Sequence, residues 1–321
     1  MSTGKHTVIY SPSKSQIKDI FAYLGYYPDC SFILHHVFDE DDFPNIPDRP
    51  DLPLLLWQGG ECYPSPTESI NRDFVYVTGN QLDKHSFRLY DISASKIWPD
   101  KLEWNKNKSK KFLFLNGKDV GHRRYLYTHL YLNNILKHSI YSYRTIEDMD
   151  WWFNPTLGFS EKDIQYSKLA THTLPFTPFE NTNLIRALPQ SIYSDTYLSI
   201  VGESIFQHYP GERVSLMLTE KTYSTCANLH MFVIAGPYGC LNLLHKQGFE
   251  TFGDLWDESY DTEDEPKTRL VKLCETIDYI NNQDLAKLYA HCKDRLLHNQ
   301  NLIYTIDVKS RVDKITDWLT R

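Results

Sequence analysis

Short apolar runs recur along this chain, each followed by a polar turn and then by a stretch whose apolar residues return at helical spacing. HTVIYSP (6–12) reads as a buried strand, and KSQIKDIFAYLGYY after it as a helix with apolar Ile17, Ile20, Phe21 and Leu24. SFILHHV (31–37) is the next strand, followed by a Pro- and Asp-rich loop from Phe38 to Pro53. LPLLLWQGGE (52–61) is a strand ending in a Gly-Gly turn, and DFVYVTGN and SFRLYDIS continue the alternation. Apolar strands separated by helices predict a parallel sheet covered on both faces.

NKNKSKK (105–111) carries no apolar residue; it reads as a solvated turn or as a linker between domains. The pattern then restarts. FLFLNG (112–117) predicts a strand, HRRYLYTHLYLNNIL (122–136) a helix and SIYSYR (139–144) a strand. The aromatic section MDWWFNPTLGF and THTLPFTPFENTN predicts a loop-rich insertion or a lid over a cleft. TYLSIVGES (196–204), a helix opening at Thr219, MFVIAGP (231–237) and a helix in GCLNLLHKQGF follow, and the last 60 residues read as wholly helical. Two consecutive βα sets imply an α/β protein of two Rossmann-like domains facing one another across a cleft, 1–105 and 106–321, with ligands at the carboxyl ends of the strands.

The chain has 321 residues, 41% of them hydrophobic and 23% charged, an ordinary globular balance with room for two domains. A net charge of −7 argues against broad nonspecific nucleic-acid binding while leaving room for a local basic groove. The six cysteines form no CxxC pair and read as reduced, buried thiols. No apolar run reaches the length of a membrane span, and MSTGKHTVIYSPSK has no signal-peptide core.

Most standard motifs are missing: GxGxxG, HExxH and GxSxG do not occur, and NGKDVG lacks the Walker A spacing. DMD (148–150) matches a metal-binding DxD, but three residues match by chance often and the neighbouring Trp151 and Trp152 favour a packed loop. The acidic run DESYDTEDE (257–265) reads as solvated residues ahead of a helix. The informative residues stand at strand ends. Asn116 ends one strand, and His122, Arg123 and Arg124 open the next helix. Glu203 ends another. Thr219 then caps a helix whose first turn holds Glu220, Lys221 and Thr222. A lysine opposes the positive end of the helix dipole, at a cost of about 0.3–1 kcal/mol, yet the same free N–H groups bind anions. Cations at two helix starts suggest a diphosphate site, with nearby glutamates able to accept from ribose hydroxyls.

LTEKTY resembles the donor-binding Thr/Ser-Glu-Lys motif of α1,3-fucosyltransferases and the related exostosin-type enzymes, which have two Rossmann-like domains in the GT-B arrangement. LLLWQGGECYPSP and DFVYVTGNQLDKHSFRLYDIS are similar to segments of that family's first domain, and FLFLNGKDVGHRRYLYTHLYL to the start of its nucleotide-binding domain. The patterns HR, IVxE, TEKT, GFxTF and DExYD resemble those of phage and bacterial relatives. After TEK the chain departs from the family: TYSTCANLHMFVIAG replaces a small-residue run ending in PV, which bears on the identity of the sugar.

The resemblance implies a glycosyltransferase using a nucleotide sugar as substrate, with no cofactor and no metal, inverting the sugar. It implies that Arg123 and Lys221 hold the donor phosphates, Glu220 the ribose, and that Glu61 is the acceptor base. The acceptor is a glycan or, given the phage resemblance, a hydroxymethylated pyrimidine in phage DNA, where Lys106, Lys108, Lys110 and Lys111 could meet a backbone. The expected location is the cytoplasm, that of the host if the protein is viral. A non-catalytic two-domain protein binding a sugar or nucleotide is the alternative; it would need the cleft but not Glu61.

Overall fold

The computed structural model describes four strands before residue 78, then residues 98, 100–144, 152–153, 155–173, 176–177, 188–207 and 216–306. The chain divides into two compact units, 1–92 with 213–217 and 306–321, and 93–212 with 218–305.

In the first unit β1 (Val8–Tyr10), β2 (Phe32–Val37), β3 (Leu54–Gln58) and β4 (Phe74–Val77) form a parallel sheet in the order β1-β2-β3-β4. Ile9 pairs with Ile33, Leu34 with Leu55 and Leu56 with Tyr76. All four strands are rich in apolar residues, with His35 and His36 interrupting the run in β2. Their order is sequential, so these four strands contain no reversal of the kind that marks a Rossmann switch point. The predicted helix at 14–27, the predicted strand at 86–93, Glu61 and the DMD triplet lie outside the described residues.

The second unit is built on β5 (Lys110–Asn116), β6 (Ser139–Tyr143), β7 (Thr196–Gly202) and β8 (Met231–Ala235), all parallel, in the order β6-β5-β7-β8. Here the order does reverse: β5 starts the sheet, the chain moves to one side for β6, then to the other for β7 and β8. Phe112, Leu113 and Phe114 of β5 and every residue of β8 are buried, as expected of strands covered on both faces. Each of these side chains other than Ala235 contributes about 1.5–3 kcal/mol on burial. The helices are α1 (Gly121–Leu132), α2 (Glu161–Lys168), α3 (Ser191–Ser194), α4 (Glu220–Ala227), α5 (Cys240–Lys246), α6 (Pro266–Asn281), α7 (Leu285–His291) and α8 (Lys293–Tyr304).

Several boundaries differ from those predicted. α1 stops at Leu132 rather than 136 because Asn134 takes the left-handed conformation at φ 57°, which breaks the helix and starts a 3-10 turn at Ile135. The aromatic section is no lid where it is described: Trp152, Phe153 and Phe159 are buried and pack on one another. Gly121 opens α1 directly against the Trp152 indole, where any Cβ would collide with the ring. α2 follows, started by a capping box between Ser160 and Asp163 whose S-x-x-D spacing was readable in the sequence. The helical C-terminal section holds to Tyr304, interrupted at 282–284 and at Cys292.

Residues 98–104 pack within this second unit. Tyr304 donates its hydroxyl to Trp98 O at 2.6 Å, Gln300 donates to Leu102 O at 3.0 Å, and the Trp104 ring stacks on Tyr289 at 4.5 Å. In the basic 105–111 segment, Lys108 donates to Tyr193 O at 2.7 Å and lies over the Tyr289 ring, while Lys111 donates to Asn281 O at 2.5 Å. These two ammonium groups are engaged by the fold instead of facing solvent. Burial lowers the Lys108 pKa to about 8. The four described cysteines, Cys226, Cys240, Cys274 and Cys292, are unpaired and buried. Among the described residues no helix is long and apolar enough to cross a membrane.

Candidate anion-binding site

The reversal of strand order leaves the carboxyl ends of β5 and β7 side by side, with α1 and α4 starting above them. That is where an open α/β sheet offers its ligand crevice. Glu203, the residue after β7, sits at the centre. Its main-chain oxygen accepts from His122 Nε2 at 2.9 Å and from Arg123 Nη2 at 3.0 Å, both from the first turn of α1. Its carboxylate, fully buried, accepts from Thr219 N at 3.1 Å, Thr219 Oγ1 at 2.6 Å, Thr222 Oγ1 at 2.5 Å and Ser204 N at 3.2 Å. One residue thereby fastens the starts of two helices to the end of one strand.

Thr219 caps α4 as predicted, its hydroxyl oxygen accepting from Lys221 N at 3.4 Å. The Lys221 ammonium lies 3.1 Å from Ser204 Oγ, 3.1 Å from Thr219 Oγ1 and 3.4 Å from Glu220 Oε1. Its side chain keeps 26% exposure, so it is partly open to solvent next to Glu203, whose main-chain oxygen Arg123 holds. Arg123 itself is buried. Gly202 makes room for it: a Cβ there would lie 2.9 Å from Arg123 Cγ and 3.1 Å from Asn116 Oδ1.

Positive charge is concentrated here. Burial, and then the neighbouring Arg123, hold the His122 imidazole well below the ordinary histidine range, with Arg269 and Lys221 pushing the same way. Neutral His122 must carry its proton on Nε2, because the Glu203 carbonyl can only accept. Arg269, from the first turn of α6, was not singled out in the sequence; it donates to Phe206 O and its guanidinium lies over the Phe206 ring, which stacks on His122 at 5.0 Å. It also donates to the main-chain oxygens of Glu263 and Asp264 just before α6, but its contact with the site, through Phe206, spans 63 positions, so no local motif marks it.

Two buried amides complete the picture. Asn116, at the end of β5, and Gln207 have neither amide atom hydrogen-bonded. At 2% exposure the Asn116 amide cannot reach bulk water, and an unpaired buried polar group costs about 1–3 kcal/mol. Such a cost is tolerated where a ligand supplies the partner.

Of the residues expected at the site, Asn116, Arg123, Glu203, Thr219, Lys221 and Thr222 are brought together around the end of β7, and Glu220 stands beside Lys221. The Glu203 carboxylate, expected near a ribose, is enclosed and accepts from four donors within the fold. Thr219 and Thr222 likewise spend their hydroxyls on Glu203. The acidic run also departs from the solvated expectation in part. Asp261 is buried and accepts from Leu241 N at 2.9 Å and Asn242 N at 3.2 Å at the start of α5, and Glu258 accepts from Thr251 and Phe252. Burial raises the Glu258 pKa. Asp257, Asp264 and Glu265 are exposed. Among the described residues no three His, Cys, Asp or Glu side chains are grouped as a metal ion would need. Asp261 also accepts from Gly239 N through its main chain, fixing the turn after β8 that leaves Tyr238 half exposed.

No family model matches this chain, and no curated protein matches it. Among solved structures, an α1,3-fucosyltransferase aligns over 100% of this chain and 92% of its own, with a TM-score of 0.47 and 9% identity. An α1,3-fucosyltransferase with GDP-fucose aligns over 100% and 93%, with a TM-score of 0.45 and 11% identity.

Proposed function

We propose that the protein is a glycosyltransferase that moves a sugar from a nucleoside diphosphate donor to an acceptor hydroxyl. The observation that carries this reading is the convergence of Arg123 and Lys221, from two helix starts, on residues 203–204 at the switch point of the second sheet. A departing diphosphate gathers negative charge as the glycosidic bond breaks, and preorganised cations and helix N–H groups stabilise that charge most where water is scarce. Arg123, buried and aimed by Gly202, supplies a fixed positive charge; Lys221, partly exposed, supplies one that can follow the phosphates. In this reading Glu203, Thr219 and Thr222 position those cations, Asn116 takes its hydrogen bonds from the donor, and Glu220 reaches the ribose. Tyr238 offers a face on which the nucleobase stacks.

The domain assignment follows from the sequence resemblance. Residues 1–105 would take the acceptor, with Glu61 as the base that removes its proton, and 106–321 the donor. Attack by the acceptor oxygen opposite the leaving diphosphate inverts the anomeric centre. The acceptor is a glycan or a hydroxymethylated pyrimidine in DNA. In the second case Lys106 and Lys110 are the lysines to meet a nucleic-acid backbone, since Lys108 and Lys111 are held by the fold.

Titration calorimetry with a panel of nucleoside diphosphates tests the donor half. Arg123→Ala and Lys221→Ala are each expected to weaken binding by about 1.5–3 kcal/mol, the range for hydrogen bonds to charged groups. Unchanged binding in both variants would remove the diphosphate site. Glu61→Gln is expected to lower turnover about 10²–10⁴-fold at saturating acceptor while leaving diphosphate affinity unchanged. Tight donor binding with no transfer to glycan or DNA acceptors would instead mark a non-catalytic nucleotide-binding protein. Tyr238→Ala is expected to weaken a nucleoside diphosphate but not inorganic pyrophosphate.

A further inference from the structure

A second concavity of about 440 Å³ opens between the 253–257 turn and the second half of α6. It is separate from the anion site. Trp256, in its wall, stacks on Phe252, which packs on Phe232 near the start of β8, whereas the anion site lies beyond the strand's far end. Its volume falls within the range of small-molecule pockets.

Its lining combines three features. Tyr279 presents a half-exposed ring, one of the few large aromatic surfaces left open among the described residues. Trp256 is buried, and its indole Nε1–H, a donor with no other chemistry available to it, has no acceptor. Around them stand Asp254, Asp257, Glu275 and Lys272. Asp254 is clasped by Arg295 at 2.7 and 3.0 Å, Asp257 accepts from Ser259 N and Oγ at 2.8 Å each, and Lys272 meets Glu263 at 2.8 Å. The carboxylates disfavour an anionic guest, and the flanking Lys272 and Arg295 disfavour a cationic one. What the walls offer a guest is an aromatic face and carboxylate oxygens with spare lone pairs, above a buried indole.

We propose that this groove is a binding subsite for a neutral saccharide unit. A pyranose has an apolar face of C–H groups and a rim of hydroxyls that both donate and accept. Tyr279 matches the face, while the carboxylates match the rim. On a glycosyltransferase such a subsite would hold a distal part of a glycan chain. The binding claim stands without the transferase reading, because none of its residues belongs to the anion site.

The test is saccharide binding to the full-length protein, followed by ligand-observed NMR, with lactose, maltose, cellobiose and N,N′-diacetylchitobiose as probes and tetramethylammonium as a cationic control. At least one disaccharide is expected to bind in the millimolar range. Tyr279→Ala, at an exposed position where folding is not at stake, is expected to weaken it about tenfold or more, and Lys221→Ala to leave it unchanged. Failure of all four sugars to bind, binding indifferent to Tyr279→Ala, or binding of tetramethylammonium alone would overturn the proposal. If Lys221→Ala loses nucleotide but keeps saccharide, both sites stand; if nucleotide binding is absent altogether, the groove is still judged on its own result.

Discussion

Glu203 and Thr219 are joined twice: the Thr219 amide donates to one carboxylate oxygen at 3.1 Å and its hydroxyl to the other at 2.6 Å. The pair spans 16 positions and connects the end of β7 to the cap of α4. Because the Glu203 carbonyl also takes His122 and Arg123, a change at Glu203 reaches both cationic arms. Glu203→Gln places an amide nitrogen where two donors expect an acceptor. The variant is expected to lose about 1–3 kcal/mol of stability in urea unfolding and to bind nucleoside diphosphate more weakly. Wild-type stability and affinity together would remove Glu203 from this role.

Asn116 separates stability from binding. Its amide has no partner within the fold, so Asn116→Leu, with the same branching and heavy-atom count though bulkier, is expected to change stability by no more than about 1 kcal/mol. Diphosphate affinity is expected to fall at the same time. If Asn116→Leu destabilises the protein by several kcal/mol without altering affinity, the amide serves the fold alone.

Gly202 offers a steric test with an internal control. Gly202→Ala would press a methyl against Arg123 and Asn116, at a cost of about 1–3 kcal/mol, and shift the guanidinium from its seat. Gly117, next to Asn116, has nothing within 4 Å of its would-be Cβ. Diphosphate binding is expected to suffer in the first variant and to survive in Gly117→Ala. Equal binding by both would mean that Arg123 needs no such seat.

The buried histidines make stability depend on pH. Burial holds His122 and His230 well below the ordinary histidine range, so in the fold both stay neutral where an unfolded chain would bind protons. Below the unfolded pKa of about 6.5, the unfolded state then takes up protons that the folded state refuses, and stability falls as the pH falls. Each histidine contributes a slope of at most about 1.4 kcal/mol per pH unit, present until its depressed folded pKa is reached. Urea unfolding between about pH 7 and 5 measures this, and His122→Asn is expected to show the shallower slope. Parallel curves for wild type and variant would show that His122 is not the group responsible.

The strands and the start of α4 were legible because both depend on neighbours in sequence: apolar runs for β5, β7 and β8, and Thr219 followed by Glu220 for the helix cap. Lys221 was legible as a question, since a cation in a first turn opposes the dipole. The role of Glu203 was not. A glutamate at a strand end reads the same whether it faces a ribose or two threonine hydroxyls 16 and 19 positions later. Asp261 hid for a similar reason inside an acidic run, where only packing decides which carboxylate turns inward to serve the start of α5. The sheet order lay beyond local pattern altogether, and with it the placement of Asn116 beside the end of β7.

The hydrogen bond from Tyr304 to Trp98 closes a circuit of 206 positions. Loop closure costs entropy that rises with the logarithm of length, about 0.6 kcal/mol for each doubling, and pairings so distant in sequence form after the nearer ones. Domains commonly fold as units while the ribosome is still adding residues. All four strands of the second sheet have been made once Ala235 is in place, so the sheet can assemble on a nascent chain. Its closure waits for α6, α7 and α8, until Tyr304 leaves the tunnel.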